Sequence, residues 1–588
     1  MVKKRACFYL FTVLSCGLLL LAGCADDGTD GLDGVNGAGQ VITLSHVAST
    51  ASQGFDGSAA EIVAFAPTTR KIFTVNANTG KIDVFAAANL TALDGADPEA
   101  SIDLAAMLVT NDLVAETSLV GAANSLAVNG NLAAVAVEAA PKTNPGWVVF
   151  VNTTTLAYVN AVQVGVLPDM LTFTPDGSKV VVANEGEPDE GYQNDPEGSI
   201  SIINVSDYAV TSIGFDAFNA EEARHAELPV DKMIVDGVNA TVAQSLEPEY
   251  VTVGADGSKA YVTLQENNAI AVIDLVADAV EKIIGLGFKD HSIPGNELDA
   301  SQKDGVNIKN WPVMGIYMPD AISSYTHNGQ IYLITANEGD SREDWLNDVT
   351  LADCEDAGYF FFADDGVCVD EFSAKDYYDS DNVTLIDSEG NLFAATNGGF
   401  GEDNELRRLK FSYFTTLAKN GGTDFEKLYA YGSRSFSIWD AQTGLQVYDS
   451  GNDFERITAQ LYAEDFNNDN AENSGDDRSD NKGPEPEGVT VGTINGHTYA
   501  FIALERMGGL MVYDVSNPFA PEYVQYVNHR DVTVDVEDDL EGAGDLGPEG
   551  VHFVSATDSP SGKPLVIVGN EVSGTTAVYE IDVTTLQE

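Results

Sequence analysis

"PEPEGVTVGTINGHTYAFIALERMGGLMVYDV", Pro484 to Val515, and "PEGVHFVSATDSPSGKPLVIVGNEVSGTTAVYEI", Pro548 to Ile581, are two versions of one pattern. Each opens on Pro-Glu-Gly-Val, alternates apolar and polar residues, turns, and enters a fully apolar run ending on a carboxylate, Glu505 or Glu571. Alternation with period two marks a half-buried strand, and a short apolar run marks a strand covered on both faces. The pattern also occurs earlier, as "PDMLTFTPDGSKVVVANEG" from Pro168, "PEYVTVGADGSKAYVTLQENN" from Pro248 and "PDAISSYTHNGQIYLITANEG" from Pro319. Asp-Gly or Asn-Gly between two such runs is a hairpin turn. Third strands follow ("SISIINV", "AIAVIDL", "GLMVYDV", "TAVYEI"), and "EYVQYVNH" reads as a fourth.

Four short antiparallel strands repeated along a chain describe the blades of a β-propeller. Units begin near Glu61, Asn124, Pro168, Pro248, Pro319, Pro486 and Pro548, with a divergent one at Leu428–Ser450. The expectation is an all-β chain, one propeller of about eight four-stranded blades over residues 41–588, with acidic loop insertions. Seven blades follow if the divergent unit is incomplete. The last unit shows three strands, and "QVITLSHVAS", Gln40–Ser49, is the expected fourth that closes the ring.

The 588 residues are 44% hydrophobic, enough for a large core, yet 29 Lys and Arg face 92 Asp and Glu, a net charge of −63. Phosphate backbones need basic patches, so nucleic acid is excluded as a partner. Divalent cations are the expected partners of specific carboxylate clusters; most of the surface charge serves to keep the surface hydrated. "MVKKRACFYLFTVLSCGLLLLAGC" carries Lys3, Lys4 and Arg5, an apolar run to Leu21, and then Leu-Ala-Gly-Cys. This reads as a signal peptide over 1–23 ending in a lipobox, with Cys24 taking lipid and residues 24–40 forming a Gly-rich tether. The alternative is a plain signal peptide. Ala25 after Cys24 favours a bacterial outer membrane or cell-surface location, with the lipid as the only membrane contact. Cys354 and Cys368 remain, and in an exported chain two remaining cysteines pair; a thiolate metal site is the competing reading. They fall in an insertion expected at about 340–382.

In a propeller, equivalent positions of every blade form a ring around the central channel. The position before the innermost strand is Asp169, Glu249, Asp320, Glu487 or Glu549; the position after the second strand is Glu138, Glu185, Glu266, Glu338, Glu505 or Glu571. Crowded carboxylates repel, and cations relieve that repulsion. Oxygen donors suit Ca²⁺ first, then Mg²⁺ or iron. The competing reading is that each Glu caps backbone N–H groups of a nearby loop. Arg342, Arg434 and Arg506 follow second strands and offer planar forks that fit phosphate oxygens; alternatively each neutralises a neighbouring acid. "DFNNDNAENSGDDRSDNKG" places Asp465, Asn467 and Asp469 at the first, third and fifth positions of a calcium loop, though the later positions do not fit an EF-hand. No nucleophile elbow, His-Glu-x-x-His, phosphate loop or dinucleotide fingerprint is present.

"PDGSKVVVANEGEPDEGY", "ITANEGDSRE", "YGSRSFSIWD", "DDRSDNKGPEPEGV", "ERMGGLMVYDVSNP", "GDLGPEGV" and "LVIVGNEVSGTTAVYEI" resemble the choice-of-anchor I family of exported bacterial proteins. That resemblance runs from about residue 41 to the end. It implies a secreted propeller of alkaline-phosphatase-like type, related to mesenchyme-specific cell-surface glycoproteins linked to biomineral deposition. Two functions are expected from it: a metal-dependent phosphomonoesterase, or a non-enzymatic calcium-binding surface protein that holds a polysaccharide, a mineral or a protein. If Cys24 is acylated, Cys24→Ser should leave the protein unprocessed or move it from the membrane to the soluble fraction. Unchanged fractionation together with unchanged mobility of the processed band on immunoblots would refute the anchor.

Overall fold

The structure is a computed structural model that describes residues 40–585 apart from 190, 343–345, 347–348, 358, 363–365, 376–403, 421–426 and 537–538. Cys24, with the signal and tether, lies outside the described residues. Residues 43–582 form one compact unit. Among the described residues there are seven four-stranded sheets. Their innermost strands are Val63–Ala66, Val120–Asn129, Pro168–Phe173, Val251–Val253, Ile322–His327, Pro486–Ile494 and Pro548–Val554. Each innermost strand touches the next, and the last touches the first, so the ring is closed. We number the blades one to seven in that order.

Closure uses the N-terminal strand, as its alternating pattern implies: Gln40–Ser49 lies beside Thr575–Thr585 as the outer strand of blade seven. Its edge reaches blade six, where Gln525 accepts from Leu44 N (3.0 Å) and donates to Leu44 O (3.1 Å).

The divergent segment does not make an eighth blade. Blade five is interrupted between its second strand, Gln330–Asn337, and its third, Ser435–Asp440. Leu428–Ala430 joins a separate five-stranded sheet, and the remainder supplies blade five with its own last two strands. The divergent unit is thus the second half of an interrupted blade, which in the sequence reads as a blade of its own. Cys354 and Cys368 within the interruption form a disulfide, tying the helix Leu351–Ala357 to the strand Val367–Val369.

Turn chemistry follows the sequence. Asn328 and Gly329 have φ of 51° and 80°, and Asn495 and Gly496 50° and 89°, the left-handed pair that a two-residue hairpin needs. The blade faces pack as apolar layers. Between blades five and six, Phe436 is fully buried against Phe454 and Tyr513, with ring centroids 6.0 and 4.8 Å away. Phe436→Ala should destabilise the protein by about 3–5 kcal/mol through lost burial and the cavity left behind. Equilibrium denaturation with urea measures this; a change under 1 kcal/mol would mean the interface refills.

Candidate metal centre

Each arm of the repeated pattern has a mechanical role. The second strands of blades three, five and seven end on a buried Asn: Asn184, Asn337 and Asn570. Each Nδ2 donates across to the third strand: Asn184 to Ser201 Oγ (3.0 Å), Asn337 to Ser437 Oγ (2.9 Å), Asn570 to Thr575 O (3.1 Å). That bond fixes the loop in which the next residue, Glu185, Glu338 or Glu571, sits. The sequence reading had singled out the Glu and passed over the Asn that holds its loop.

At the channel the two rings meet. A cavity of about 310 Å³ is lined by Asp169, Glu249, Asp320, Glu338, Glu487, Glu505 and Glu549, together with Lys482 and Arg506. A smaller one, about 140 Å³, shares Glu249 and adds Glu185, Glu266, Glu247 and Arg342. Strand register puts Gln265, rather than Glu266, at the place where Glu338 stands in blade five: Val251 pairs with Val262 as Ile322 pairs with Thr335. Gln265 Nε2 accordingly donates to Glu338 Oε2 at 2.9 Å. Glu138 takes the capping role, accepting from Ala122 N (2.9 Å). Glu571 accepts from Ser58 Oγ at 3.4 Å.

The two halves of the ring are balanced differently. On the side of blades five and six, Lys482 Nζ lies 2.7 Å from Glu338 Oε1 and 3.5 Å from Glu485 Oε2. Arg506 pairs with Glu485 (2.9 Å) and Glu505 (3.1 Å). Burial works to raise the Glu485 pKa, but Lys482, Arg506 and Arg478 outweigh it and hold this carboxylate well below its usual range. The carboxyls before the inner strands, Asp320 of blade five and Glu487 of blade six among them, have no such paired cation among the described residues, and Arg342 in the smaller cavity is already held by Glu247 and Asp236. Glu249 Oε2, Glu487 Oε2, Glu549 Oε2 and Glu266 Oε2 are buried without a hydrogen-bond partner. Burial first, then their acidic neighbours, pushes Glu249, Asp320, Glu487 and Glu549 well above the usual carboxylate range. Asp169 is pushed up to about 7 by burial, and Glu266 to about 8. Glu61, the blade-one counterpart of Asp169, rises to about 8 through burial, Glu571 and Asp169. Its alignment with the Pro-Glu-Gly-Val openings was the available signal for it.

The three arginines do not converge. Arg342 pairs with Glu247 (2.7 Å) and Asp236 (3.1 Å), both buried. Arg434 is buried against Glu455 and donates to Ser479 O and Asn481 O, both 2.8 Å away. Only Arg506 of the three lines the larger cavity. In the 465–483 loop, Asn467 Nδ2 is spent on Glu455 (3.1 Å) and Ser479 (3.0 Å), while Asp469 caps Ala471 N (2.9 Å). Among the described residues the groups of three or more convergent acid or imidazole donors are Glu338–Glu485–Glu505 and His46–His529–Asp545; Asp465 and Asp469 belong to neither.

The fold and site thus define a closed seven-bladed propeller with an acid-lined channel. The choice-of-anchor I domain matches residues 61–518, and the chain belongs to that family. Membership points to an exported, surface-displayed protein. The chain is 27% identical over 332 residues to the mesenchyme-specific cell surface glycoprotein of Strongylocentrotus purpuratus, covering 53% of this chain and 41% of that protein. It is 28% identical over 165 residues to gigasin-3a of Magallana gigas, covering 26% of this chain and 58% of that one. The chain therefore spans only about half the length of these curated relatives. Among solved structures it is similar to the WD40 domain of Toxoplasma gondii coronin (TM-score 0.45, 7% identity, covering 94% and 88%). It is also similar to the hydrazine synthase of Kuenenia stuttgartiensis (TM-score 0.43, 11% identity, covering 90% and 97%). No helix among the described residues is long and apolar enough to cross a membrane.

A carboxyl whose folded pKa is raised binds its proton more tightly in the native state. Its stabilisation is complete below the unfolded pKa and disappears as pH rises through the folded one. For Asp169, Glu61 and Glu266 that window runs from about 4 to about 8. In chelator, the melting temperature should therefore fall as pH is raised from 5 to 8, and calorimetry across that range checks the sign.

Proposed function

We propose that this protein is a surface-displayed, lipid-anchored propeller that binds divalent cations, Ca²⁺ foremost, in its channel. The carrying observation is the set of orphaned carboxylate oxygens on Glu249, Glu487 and Glu549, facing a cavity that also holds Asp169 and Asp320. Leaving a buried acceptor unpaired is costly, and leaving several like charges together is costlier. The donors are all hard oxygens from separate rigid strands, which fits the six to eight oxygen ligands of Ca²⁺ better than the thiolate and imidazole preferences of softer metals. Mg²⁺ or iron fits the same donors less closely. The sites would lie among the carboxyls before the inner strands, Glu487 of blade six included, because Lys482 and Arg506 already pair with Glu338, Glu485 and Glu505. A protein of this kind would hold a mineral, an acidic polysaccharide or a protein partner through its bound cations, in line with the cell-surface name of one relative.

A second reading, a metal-dependent phosphomonoesterase, is favoured by the presence of Lys482 and Arg506 in the same cavity as the carboxylates. Arg342 and Arg434 offer it little, since their donors are spent elsewhere.

If the channel binds Ca²⁺ with the affinity of extracellular modules, a hundredfold excess over Kd should stabilise the fold by about 2.7 kcal/mol relative to chelator. Glu487→Gln and Glu549→Gln should each flatten the fall of the melting temperature with pH in chelator, by removing a carboxyl that must stay protonated, and shrink the Ca²⁺ increment. A melting curve indifferent to Ca²⁺ in all three proteins would refute cation binding. Hydrolysis of p-nitrophenyl phosphate by the wild type, lost in both variants, would instead establish the phosphatase reading.

A further inference from the structure

Outside the channel, the linker from blade six to blade seven meets the N-terminal closing strand at a second cluster. His46 lies on that strand; His529 and Asp545 lie on the linker. Asp545 is buried, and its Oδ1 accepts from Thr575 Oγ1 (2.7 Å). Its Oδ2 accepts from Ser49 Oγ and from His529 Nδ1, both at 2.8 Å, with His46 Nε2 at 3.8 Å. Ser49 has one proton and gives it to Asp545, so the 2.8 Å contact from His46 Nε2 to Ser49 Oγ is a donation from the imidazole. One ligand atom from each of His46, His529 and Asp545 falls within 4.8 Å of the others. The cluster opens on a cavity of about 720 Å³ lined in part by Ser49, Asp94, His529, Glu541 and Asp545.

We propose that His46, His529 and Asp545 form a binding site for a transition-metal dication of the Zn²⁺ class, separate from the channel. Two imidazole nitrogens and one carboxylate select Zn²⁺, Cu²⁺ or Ni²⁺ over Ca²⁺ and Mg²⁺, whose ligands are oxygens. Three protein donors leave one position of a tetrahedral ion open to water from the adjoining cavity. The ion takes the place of the hydrogens now on His46 Nε2 and His529 Nδ1; in each neutral ring that hydrogen moves to the other ring nitrogen, and a proton leaves to solvent only from a ring that was imidazolium beforehand. The rings stack with centroids 3.5 Å apart and planes 14° apart, so one ion cannot lie in both planes. The more exposed ring, His529, therefore turns as the metal enters; its side chain is 40% exposed against 19% for His46. Ser49 Oγ and Thr575 Oγ1 keep Asp545 oriented, the part that outer partners play in metal sites. The consequence is mechanical: the ion fastens the strand that closes the ring to the linker that precedes the last blade.

The test uses full-length protein saturated with Ca²⁺, so that the channel does not compete. Zn²⁺ titrated calorimetrically should bind one ion per chain, and Co²⁺ as a probe should give visible absorption from nitrogen-ligated metal. His529→Gln and His46→Gln should each weaken Zn²⁺ by at least about tenfold, while Glu487→Gln should leave it unchanged. His529 sits on an exposed linker, so its variant remains informative if the His46 variant folds poorly. Absence of one-to-one Zn²⁺ binding by folded wild type, or binding that His529→Gln retains in full, overturns the site.

Discussion

Like charges cannot be kept apart in a propeller whose repeat places a carboxylate at the same point of every blade. Two unit charges 4 Å apart repel by about 4 kcal/mol at the effective dielectric of a protein surface, and several such pairs would exceed the net stability of most domains. The channel must therefore be neutralised, and the chain does so in two ways. Around blades five and six it brings its own cations, Lys482 and Arg506, and the buried Glu485 between them is held ionised in consequence. The carboxyls before the inner strands, Glu249, Glu487 and Glu549 among them, keep their protons or, on the proposed function, share a cation from outside.

Of the two internal cations, Arg506 follows a second strand, while Lys482 arrives on the stretch that precedes the inner strand of blade six. Lys482 and Glu485 lie in the stretch between the helix Asp453–Tyr462 and the inner strand of blade six. The same stretch wraps Arg434, whose guanidinium is satisfied by Glu455 and by the carbonyls of Ser479 and Asn481. Arg434 has φ of 56°, a left-handed conformation that this enclosure maintains. It is a structural anchor for the segment that carries Lys482 to the channel, although beside its strand in the sequence it reads as a phosphate ligand.

Strand periodicity, hairpin turns and the closing role of Gln40–Ser49 were legible in the sequence, because each depends on residues adjacent along the chain. The repeat also carried the carboxylate rings, since equivalent positions converge by symmetry alone. What symmetry does not determine was lost. Gln265 and Glu266 are neighbours, and only the pairing of Val251 with Val262 decides which of them stands beside Glu338. The blade count turned on whether Leu428–Ala430 pairs within blade five or outside it, a long-range choice that local pattern cannot make. Lys482 and the His46–His529–Asp545 cluster depend on contacts between segments far apart in sequence, and Lys482, His529 and Asp545 lie outside the repeated strands.

The charge of −63 and the channel charge obey different physics. Surface carboxylates are solvated, and salt screens them beyond a Debye length of about 8 Å at physiological ionic strength. The channel carboxyls are enclosed by strands, so monovalent salt relieves them little, and neutralisation there requires a proton or an ion that enters. The two charge sets nevertheless cooperate, because a strongly negative exterior raises the concentration of cations at the channel mouth. High salt should weaken that recruitment while leaving the internal repulsion in place. On the proposed cation binding, an acidic surface around an acidic channel would make cation entry easiest in dilute surroundings, with occupancy set by the orphaned oxygens inside.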